Sequence, residues 1–208
     1  MNYELKSMKF LYTIFHSNKV FINRKHVIKY LCLYLLNENI NFMANWDEIP
    51  EIELYADGAA EPNPGRGGFG VIMSYKGKQK EFSQGYTLTT NNRMELMGVI
   101  FGLQRLKTKS NVHVYTDSKY VADGINKGWA QKWKSKNWHI TKNKIALNYD
   151  LWERLLMLIE EQNSVTFHWI KGHNAHPENE RCDKLATLAL KSENLLEDEG
   201  YINSKKNN

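Results

Sequence analysis

The stretch EIELYADG, residues 51–58, alternates regularly between apolar and polar side chains. Its apolar members fall on one side and its polar members on the other: Ile52, Leu54 and Ala56 against Glu53, Tyr55 and Asp57. Strict alternation is typical of a β-strand that buries one of its faces. The stretch therefore predicts a strand that ends near Asp57, with a carboxylate followed at once by Gly58.

The segments around this strand predict a mixed sheet. Residues 67–88 read as two more strands joined by a hairpin at 76–78, and residues 111–118 and 164–173 read as later strands. Helical spacing marks residues 94–106, 119–129, 150–162 and 178–192. This order, βββαβα followed by αβα, predicts an α/β sheet with an antiparallel hairpin at one end and helices that cover it.

Composition narrows the class of protein. The chain has 208 residues, of which 42% are hydrophobic, enough for one sizeable core. Its two cysteines, Cys32 and Cys182, argue against a disulfide scaffold and favour a reducing, cytoplasmic location. The longest apolar run, YLCLYLL at 30–36, is shorter than the ~20 residues that span a bilayer. We therefore expect no membrane association, and we expect a monomer with no obligate protein partner.

Residues 1–45 differ from the rest of the chain. They contain no Gly, Pro or Asp, and they hold six basic residues against two glutamates, which accounts for most of the net charge of +5. Three interpretations stay open: a short extension, a targeting peptide without the usual features, or a segment that precedes the true start at Met43. The expected organisation is this extension at 1–45, a catalytic domain at 46–201 and a polar tail at 202–208.

Two aspartates stand at polar positions of their predicted strands. They are Asp57 in the first strand and Asp117 in the strand that ends with YTDS. If those strands are neighbours, both carboxylates lie at the sheet edge where open α/β sheets place their sites. Close carboxylates repel each other unless a cation lies between them, and hard oxygen ligands suit Mg²⁺. The alternative is that each aspartate only caps a turn.

Glu95 opens the helix in TTNNRMELMGVI, residues 89–100. Asn92 and Glu95 have the spacing of a capping box, which would explain why a helix begins there. Gly98 and Gly102 cost about 1 kcal/mol each inside a helix, so they indicate that the helix lies close to the sheet. Glu95 would then also come near Asp57 and Asp117.

The segment WIKGHNAHPENERCDKLA, residues 169–186, is dense in polar residues. His173 lies on a loop after a strand, and Asp183 follows in a helix. His173 and His176 could suggest zinc, but a suitable Cys partner is missing and carboxylates dominate. We expect His173 to carry a proton beside a metal site and His176 to be structural.

Four motifs in register resemble bacterial type 1 ribonuclease H: YADGAAEPNPGRGGFGVI, TTNNRMEL, YTDSKYV and KGHNAHPENERCDKLA. The resemblance covers about residues 50–201. It implies a ribonuclease H-like α/β fold, with a five-stranded mixed sheet flanked by helices. It also implies an endonuclease that cuts the RNA strand of an RNA–DNA hybrid and leaves 5′-phosphate and 3′-hydroxyl ends.

The same resemblance implies the roles of the site residues. The metal ligands would be Asp57, Glu95, Asp117 and Asp183, with Asp57 shared by two ions, and His173 would be the histidine of a mobile loop. Two metal ions can activate water, stabilise charge at phosphorus and stabilise the leaving oxygen. The expected cofactor is Mg²⁺, two ions during catalysis, for which Mn²⁺ can substitute.

Contacts to the hybrid come from two regions. Residues 124–144 hold six lysines and no acidic residue, with three tryptophans between them, a pattern that suits a nucleic-acid-binding protrusion. The alternative is a helix anchored by tryptophans with a solvated lysine face. The candidate contacts here are Trp129, Lys132, Trp133 and Lys134. By resemblance the others are Asn63, Thr90, Asn91, Asn92 and Lys119. Leu88 departs from the family, where many members carry Arg beside a DNA phosphate.

Two further functions stay open. One is a binding module that kept the fold without the chemistry, which the presence of all four acidic residues argues against. The other is a resolvase or exonuclease of the same fold, which would leave the lysine and tryptophan segment without a role.

Overall fold

The computed structural model describes residues 49–172 and 176–206. The predicted extension at 1–45, the alternative start Met43 and the loop residue His173 lie outside the described residues. The main strands are β1 (Glu51–Glu61), β2 (Gly65–Tyr75), β3 (Lys78–Thr89), β4 (Asn111–Thr116) and β7 (Ser164–Trp169). Shorter strands are β5 (His139–Thr141), β6 (Lys144–Ile145) and β8 (Leu195–Leu196). The helices are α1 (Asn91–Gln104), α2 (Lys119–Asn126), α3 (Trp129–Lys134), α4 (Tyr149–Glu160), α5 (Pro177–Leu190) and α6 (Glu199–Lys206).

Six of these strands form a mixed sheet in the order β7-β4-β1-β2-β3-β8, and β5 pairs with β6 in a separate two-stranded sheet. β1, β2 and β3 are antiparallel neighbours, whereas β4 pairs in parallel with both β1 and β7. Lys76 and Gly77 both have positive φ in the β2–β3 turn, as two-residue hairpins with the native twist require. The predicted α/β fold is thus confirmed, and the two-residue strand β8 adds a sixth strand beside the five expected.

Helices cover both faces of the sheet around one core. α1 packs on β1 and β2, and α4 packs against α1 with Trp152 and Leu155 fully buried. α5 crosses β1, β2 and β3 on the opposite face, where the Cys182 thiol donates to the Tyr55 carbonyl at 3.5 Å. Among the described residues, no helix combines the length and apolar character that a bilayer crossing needs.

The predicted close approach of α1 to the sheet is confirmed. A Cβ atom at Gly98 would lie 3.4 Å from the Ala56 Cβ, and one at Gly102 would collide with the side chain of Leu54. Both strand residues belong to the apolar face of β1 and are fully buried. The two glycines therefore let the helix axis come closer to β1 than larger residues would allow.

β1 is longer than the sequence predicts. It continues to Glu61, so Asp57 lies inside the strand and the prediction that Asp57 closes it is wrong. The alternation ends there because residues 56–58 are all buried, and antiparallel pairing with β2 extends to Glu61 opposite Arg66. Asp117, predicted near the end of its strand, follows directly after β4, which ends at Thr116.

A buried ion network ties the C-terminal segment to α1. Arg93 donates from Nε and Nη2 to the two carboxylate oxygens of Asp198 at 2.7 and 2.9 Å. It also donates to both oxygens of Asp150 on α4 at 2.9 and 2.7 Å, and the Thr89 hydroxyl donates to Asp198 at 2.6 Å. Residues 202–206, expected in a polar tail, continue α6, whose Tyr201 is buried and donates its N–H to Asp198.

Replacing Asp198 with Ala should destabilise the protein by about 3–5 kcal/mol, because it removes one partner of a buried ion pair and leaves charge uncompensated. Urea unfolding at neutral pH measures the change. The control is Glu81→Gln, which breaks the exposed Arg181–Glu81 pair and should leave the midpoint unchanged. Equal midpoints for wild type and Asp198→Ala would show that the network does not stabilise the fold.

Candidate metal centre

Three carboxylates from three elements meet at one point of the sheet. Asp57 in β1, Asp117 after β4 and Glu95 in α1 each offer an oxygen atom, and these atoms lie within 4.8 Å of one another. The parallel pairing of β1 with β4 places Tyr55 opposite Tyr115, two residues before each aspartate. The expectation that the two strands are neighbours is therefore confirmed.

Glu95 reaches this point from inside the helix and does not act as a cap. α1 begins at Asn91 with Thr90 at the N-cap, no side chain caps it, and no acidic residue lies in its first turn. The predicted capping box of Asn92 and Glu95 is wrong because Asn92 is already helical. The Glu95 carboxylate instead accepts a long hydrogen bond from the Asn91 amide at 3.4 Å.

Gly58 permits the contact between β1 and the start of α1. A Cβ atom at this position would collide with the backbone of Met94 and with the backbone nitrogen of Glu95. The Gly58 N–H donates to Asp57 Oδ1 at 2.7 Å. The same N–H also counteracts part of the rise in the pKa of Glu95. In the sequence Gly58 stood out only as the residue after Asp57, so this role was missed.

The two innermost carboxylates are held in an unfavourable electrostatic environment. Asp57 is 8% exposed and Glu95 is 6% exposed. Burial, and then the negative charge of Asp117, raises the pKa of Asp57 to about 7. Burial, followed by the charges of Asp57 and Asp117, raises the pKa of Glu95 well above its usual range. A cation at this point would relieve both effects.

The residues present fit a divalent metal ion. Glu95 Oε2 is buried and has no hydrogen-bond partner among the described residues, which is costly for a carboxylate oxygen. The donor set consists of carboxylate oxygens, which suit Mg²⁺ or Mn²⁺ better than softer metals. The prediction of an acidic metal-binding cluster at Asp57, Glu95 and Asp117 agrees with this geometry.

The remaining predicted centre residues lie in or before α5. Asp183 lies outside the three-residue group, although its negative charge is one of the smaller causes that raise the pKa of Asp57. His176 is the N-cap residue of α5 and makes no side-chain capping bond. His173 lies outside the described residues. The ligand role of Asp183 and the proton-carrying role of His173 stay predictions.

The turn before α1 collects several predicted substrate contacts. The Asn91 N–H donates to Asn63 Oδ1 at 3.2 Å, which joins two of them across 28 residues of sequence. Thr90 is half-buried at the N-cap, and Asn92 is exposed beside them. Leu88, next to the last residue of β3, is also exposed. The four polar side chains, Asn63, Thr90, Asn91 and Asn92, form one polar rim that reaches Glu95 through the Asn91 amide.

Lys119 is paired with a residue that sequence reasoning missed. Its ammonium lies 4.8 Å from the centre of the Trp169 ring, and the Trp169 N–H donates to the Asp117 carbonyl at 2.9 Å. Trp169 is the last residue of β7 and is exposed. Trp169 shares the alternating phase of Val165 and the buried Phe167, so the only sequence signal was its place directly before the polar loop.

The lysine and tryptophan segment divides into a structural part and an exposed part. Trp133 packs edge-on against Trp152 with ring centres 6.0 Å apart, and Trp138 is buried. Trp129 is exposed on α3, with Lys127 5.3 Å above its ring. Lys132 is exposed, whereas Lys134 lies 3.3 Å from Glu160. Tryptophans therefore anchor the segment and lysines line its surface, as the alternative interpretation expects, and its binding to nucleic acid stays a prediction.

Comparisons with known proteins match the part of the chain that contains the three carboxylates and the lysine and tryptophan segment. The family model described as RNase H matches residues 50–191. Ribonuclease H of Desulforamulus reducens is 55% identical over 159 residues, which cover 76% of this chain and 95% of that protein. Ribonuclease H of Trichodesmium erythraeum is 50% identical over 151 residues, covering 73% and 96%. Among solved structures, LC9-RNase H1, a type 1 RNase H with the type 2 active-site motif, has a TM-score of 0.62 at 28% identity, covering 69% and 74%.

Replacing Asp57 with Asn should stabilise the protein in EDTA more at pH 8 than at pH 5. The raised pKa means that the stability associated with protonated Asp57 is complete below the unfolded value of 3.8 and is lost as pH rises through about 7. One pKa unit corresponds to about 1.4 kcal/mol, so we expect a difference on the order of 2 kcal/mol between the two pH values. Urea unfolding measures it.

The control for this pH dependence is Asp123→Asn on α2, a carboxylate outside the cluster that pairs with Lys127. It should show no comparable gain at pH 8. An Asp57→Asn protein that is less stable than wild type at pH 8 would contradict repulsion within the cluster.

Proposed function

Because the chain belongs to the ribonuclease H family, we propose that it is an endonuclease that hydrolyses the RNA strand of RNA–DNA hybrids. The observation that carries the proposal is the group of three carboxylates at Asp57, Glu95 and Asp117, two of them buried. Buried, mutually repelling carboxylates are poor for stability and are expected where a site is arranged for catalysis.

Asp57, Glu95 and Asp117 would hold the divalent cations, and Asp183 would complete their ligands from α5. Bound Mg²⁺, for which Mn²⁺ can substitute, supplies activation of water and stabilisation of charge on the phosphate and leaving oxygens. The Gly58 N–H holds the Asp57 carboxylate and the Asn91 amide holds the Glu95 carboxylate, so both side chains require little reorganisation during the reaction. The products would carry 5′-phosphate and 3′-hydroxyl ends, and His173 would move a proton as the product leaves.

The polar rim beside Glu95 is suited to the RNA strand. Asn63, Asn91 and Asn92 carry amides that can both donate to and accept from a 2′-hydroxyl, the group that distinguishes RNA from DNA. Asn63 and Asn91 are already joined by a hydrogen bond, which reduces the freedom lost on binding. Thr90 and Lys119 would add contacts to the sugar–phosphate backbone on either side of the centre.

The protrusion formed by α3 and the segment around it is suited to the DNA strand. Lys132 and Trp129 are exposed there, so they can bind phosphate and stack on sugar or base. Trp133 would act mainly by holding α3 against α4 through Trp152. Lys134 would contribute less than Lys132, because its charge is partly compensated by Glu160.

The catalytic domain is proposed to span residues 46–201 and to act as a cytoplasmic monomer, as the sequence predicts. Proteins that begin at residue 1 and at Met43 can be compared in the cleavage assay below.

Asp57→Asn and Glu95→Gln should each lower hybrid cleavage in Mg²⁺ at least about 100-fold while the protein stays folded, because each removes a charged metal ligand. The assay uses an RNA–DNA hybrid labelled on the RNA strand. Glu53→Gln, an exposed carboxylate on the same strand, is the matched control and should keep wild-type activity.

The substrate panel also separates the alternatives. Duplex DNA and branched DNA should not be cut, and cutting of either in preference to the hybrid would indicate a different nuclease of this fold. Hybrid binding without cleavage in Mg²⁺ or Mn²⁺ would indicate a binding module. Full activity of Asp57→Asn would refute the proposed centre.

Lys132→Ala should weaken hybrid binding. It should also make the slope of log K against log salt concentration shallower, by the amount expected for the loss of about one phosphate contact. Fluorescence anisotropy at several salt concentrations, in EDTA to prevent cleavage, measures both quantities. Lys134→Ala is the comparison variant and should have the smaller effect because Glu160 already lies 3.3 Å from its ammonium. A larger loss with Lys134→Ala would reverse the assigned roles on α3.

A further inference from the structure

Asn179 contacts the candidate centre from α5. Its amide Nδ2 donates to Asp117 Oδ2 at 3.3 Å, and its side chain is buried, with 4% of the residue exposed. On another side of the same oxygen lies Gly172, where a Cβ atom would be 2.6 Å from Asp117 Oδ2. Asp117 Oδ2 therefore lies close both to the first turn of α5 and to Gly172, which comes three residues after the end of β7.

The orientation of the Asn179 amide follows from its partner. Turning the amide over would bring its oxygen against a carboxylate oxygen, two acceptors without a hydrogen between them. With Nδ2 facing Asp117, Asn179 Oδ1 is buried and has no hydrogen-bond partner among the described residues. A buried acceptor without a partner costs about 1–3 kcal/mol. Such a group indicates a ligand or water that completes it.

Only two buried side-chain atoms of the described residues lack a partner, and they belong to neighbouring groups. One is Glu95 Oε2, in the three-carboxylate cluster, and the other is Asn179 Oδ1, whose amide is bonded to a member of that cluster. Bond lengths place the two polar atoms of an amide about 2.3 Å apart. Asn179 Oδ1 is therefore within reach of a water molecule bound next to Asp117.

We propose that Asn179 is a positioning residue for the metal centre, holding Asp117 through Nδ2 and accepting from a metal-bound water through Oδ1. The inference rests on the proposed function, since it requires a divalent cation at Asp57, Glu95 and Asp117. Groups that hydrogen-bond to metal ligands fix ligand orientation, and their loss typically weakens metal affinity or activity about 10- to 100-fold. Asn179 is distinct from the acidic ligands because it would bind no metal ion itself.

A purely structural role for Asn179 makes a different prediction. If its hydrogen bond only stabilises the start of α5, an apolar replacement should lower stability and leave metal affinity unchanged. If Asn179 positions the centre, Asn179→Leu removes a buried unpaired oxygen and should keep the unfolding temperature in EDTA at or above that of wild type. The same variant should bind Mg²⁺ more weakly.

The experiment compares wild type, Asn179→Leu, Asn179→Ala and the control Glu180→Ala, which changes the next residue on the same helical turn. Thermal unfolding in EDTA and in a Mg²⁺ titration measures metal binding without substrate. Hybrid cleavage across the same Mg²⁺ range gives a second midpoint, and hybrid affinity is measured in EDTA. Both Asn179 variants should need at least about 10-fold more Mg²⁺ in both titrations, with hybrid affinity unchanged.

Each outcome decides the proposal. Wild-type Mg²⁺ midpoints in either Asn179 variant, an equal shift in Glu180→Ala, or failure of both Asn179 variants to fold in EDTA would overturn it. If wild type cleaves the hybrid and the Asn179 variants match it, only this inference fails. If wild type shows Mg²⁺-dependent stabilisation but no hybrid cleavage, the proposed substrate fails while the thermal titration still tests Asn179. Absence of any Mg²⁺ effect in wild type would overturn both.

Discussion

The contact between Gly58 and the start of α1 is the constraint on which the candidate centre depends. Any side chain at Gly58 would push Met94 and Glu95 away from β1. Without that contact, Glu95 could not come close to Asp57 and Asp117, and the three acidic oxygens could not lie within 4.8 Å of one another. Parallel pairing of β1 with β4 then supplies Asp117. The close contact between the backbones of β1 and α1 thus brings together negative charges that would otherwise move apart.

The protein offsets this local repulsion with strong interactions nearby. Arg93 lies two residues before Glu95 and is bound by two carboxylates, one of them fully buried. Its partners Asp150 and Asp198 come from α4 and from the segment before α6, so two distant parts of the chain fix the first turn of α1. The centre can remain electrostatically strained because the helix that carries Glu95 is anchored on its other side.

Strand alternation and glycine spacing predicted most of the fold, because both report directly on which residues can be buried. They identified β1, the close packing of Gly98 and Gly102, and the meeting of Asp57 with Asp117. Predictions from the local spacing of residues failed where contacts between residues distant in sequence determine the structure. The capping box at Asn92 is absent because the N-cap of α1 is Thr90, two residues earlier. Lys134 pairs with Glu160, which lies 26 residues away in sequence on α4. Asn179 and Gly172 also touch Asp117 only through the folded topology.

The link between Arg93 and Asp198 also bears on the order in which the molecule matures during synthesis. The two residues are 105 positions apart in sequence. A nascent polypeptide that stops short of Asp198 provides Arg93 with Asp150 alone and leaves the Thr89 hydroxyl without this acceptor. The turn at Thr90 and Asn91 therefore gains its full support only after Asp198 has been synthesised. During synthesis, the polar rim is the part of the molecule that depends on the latest of these contacts.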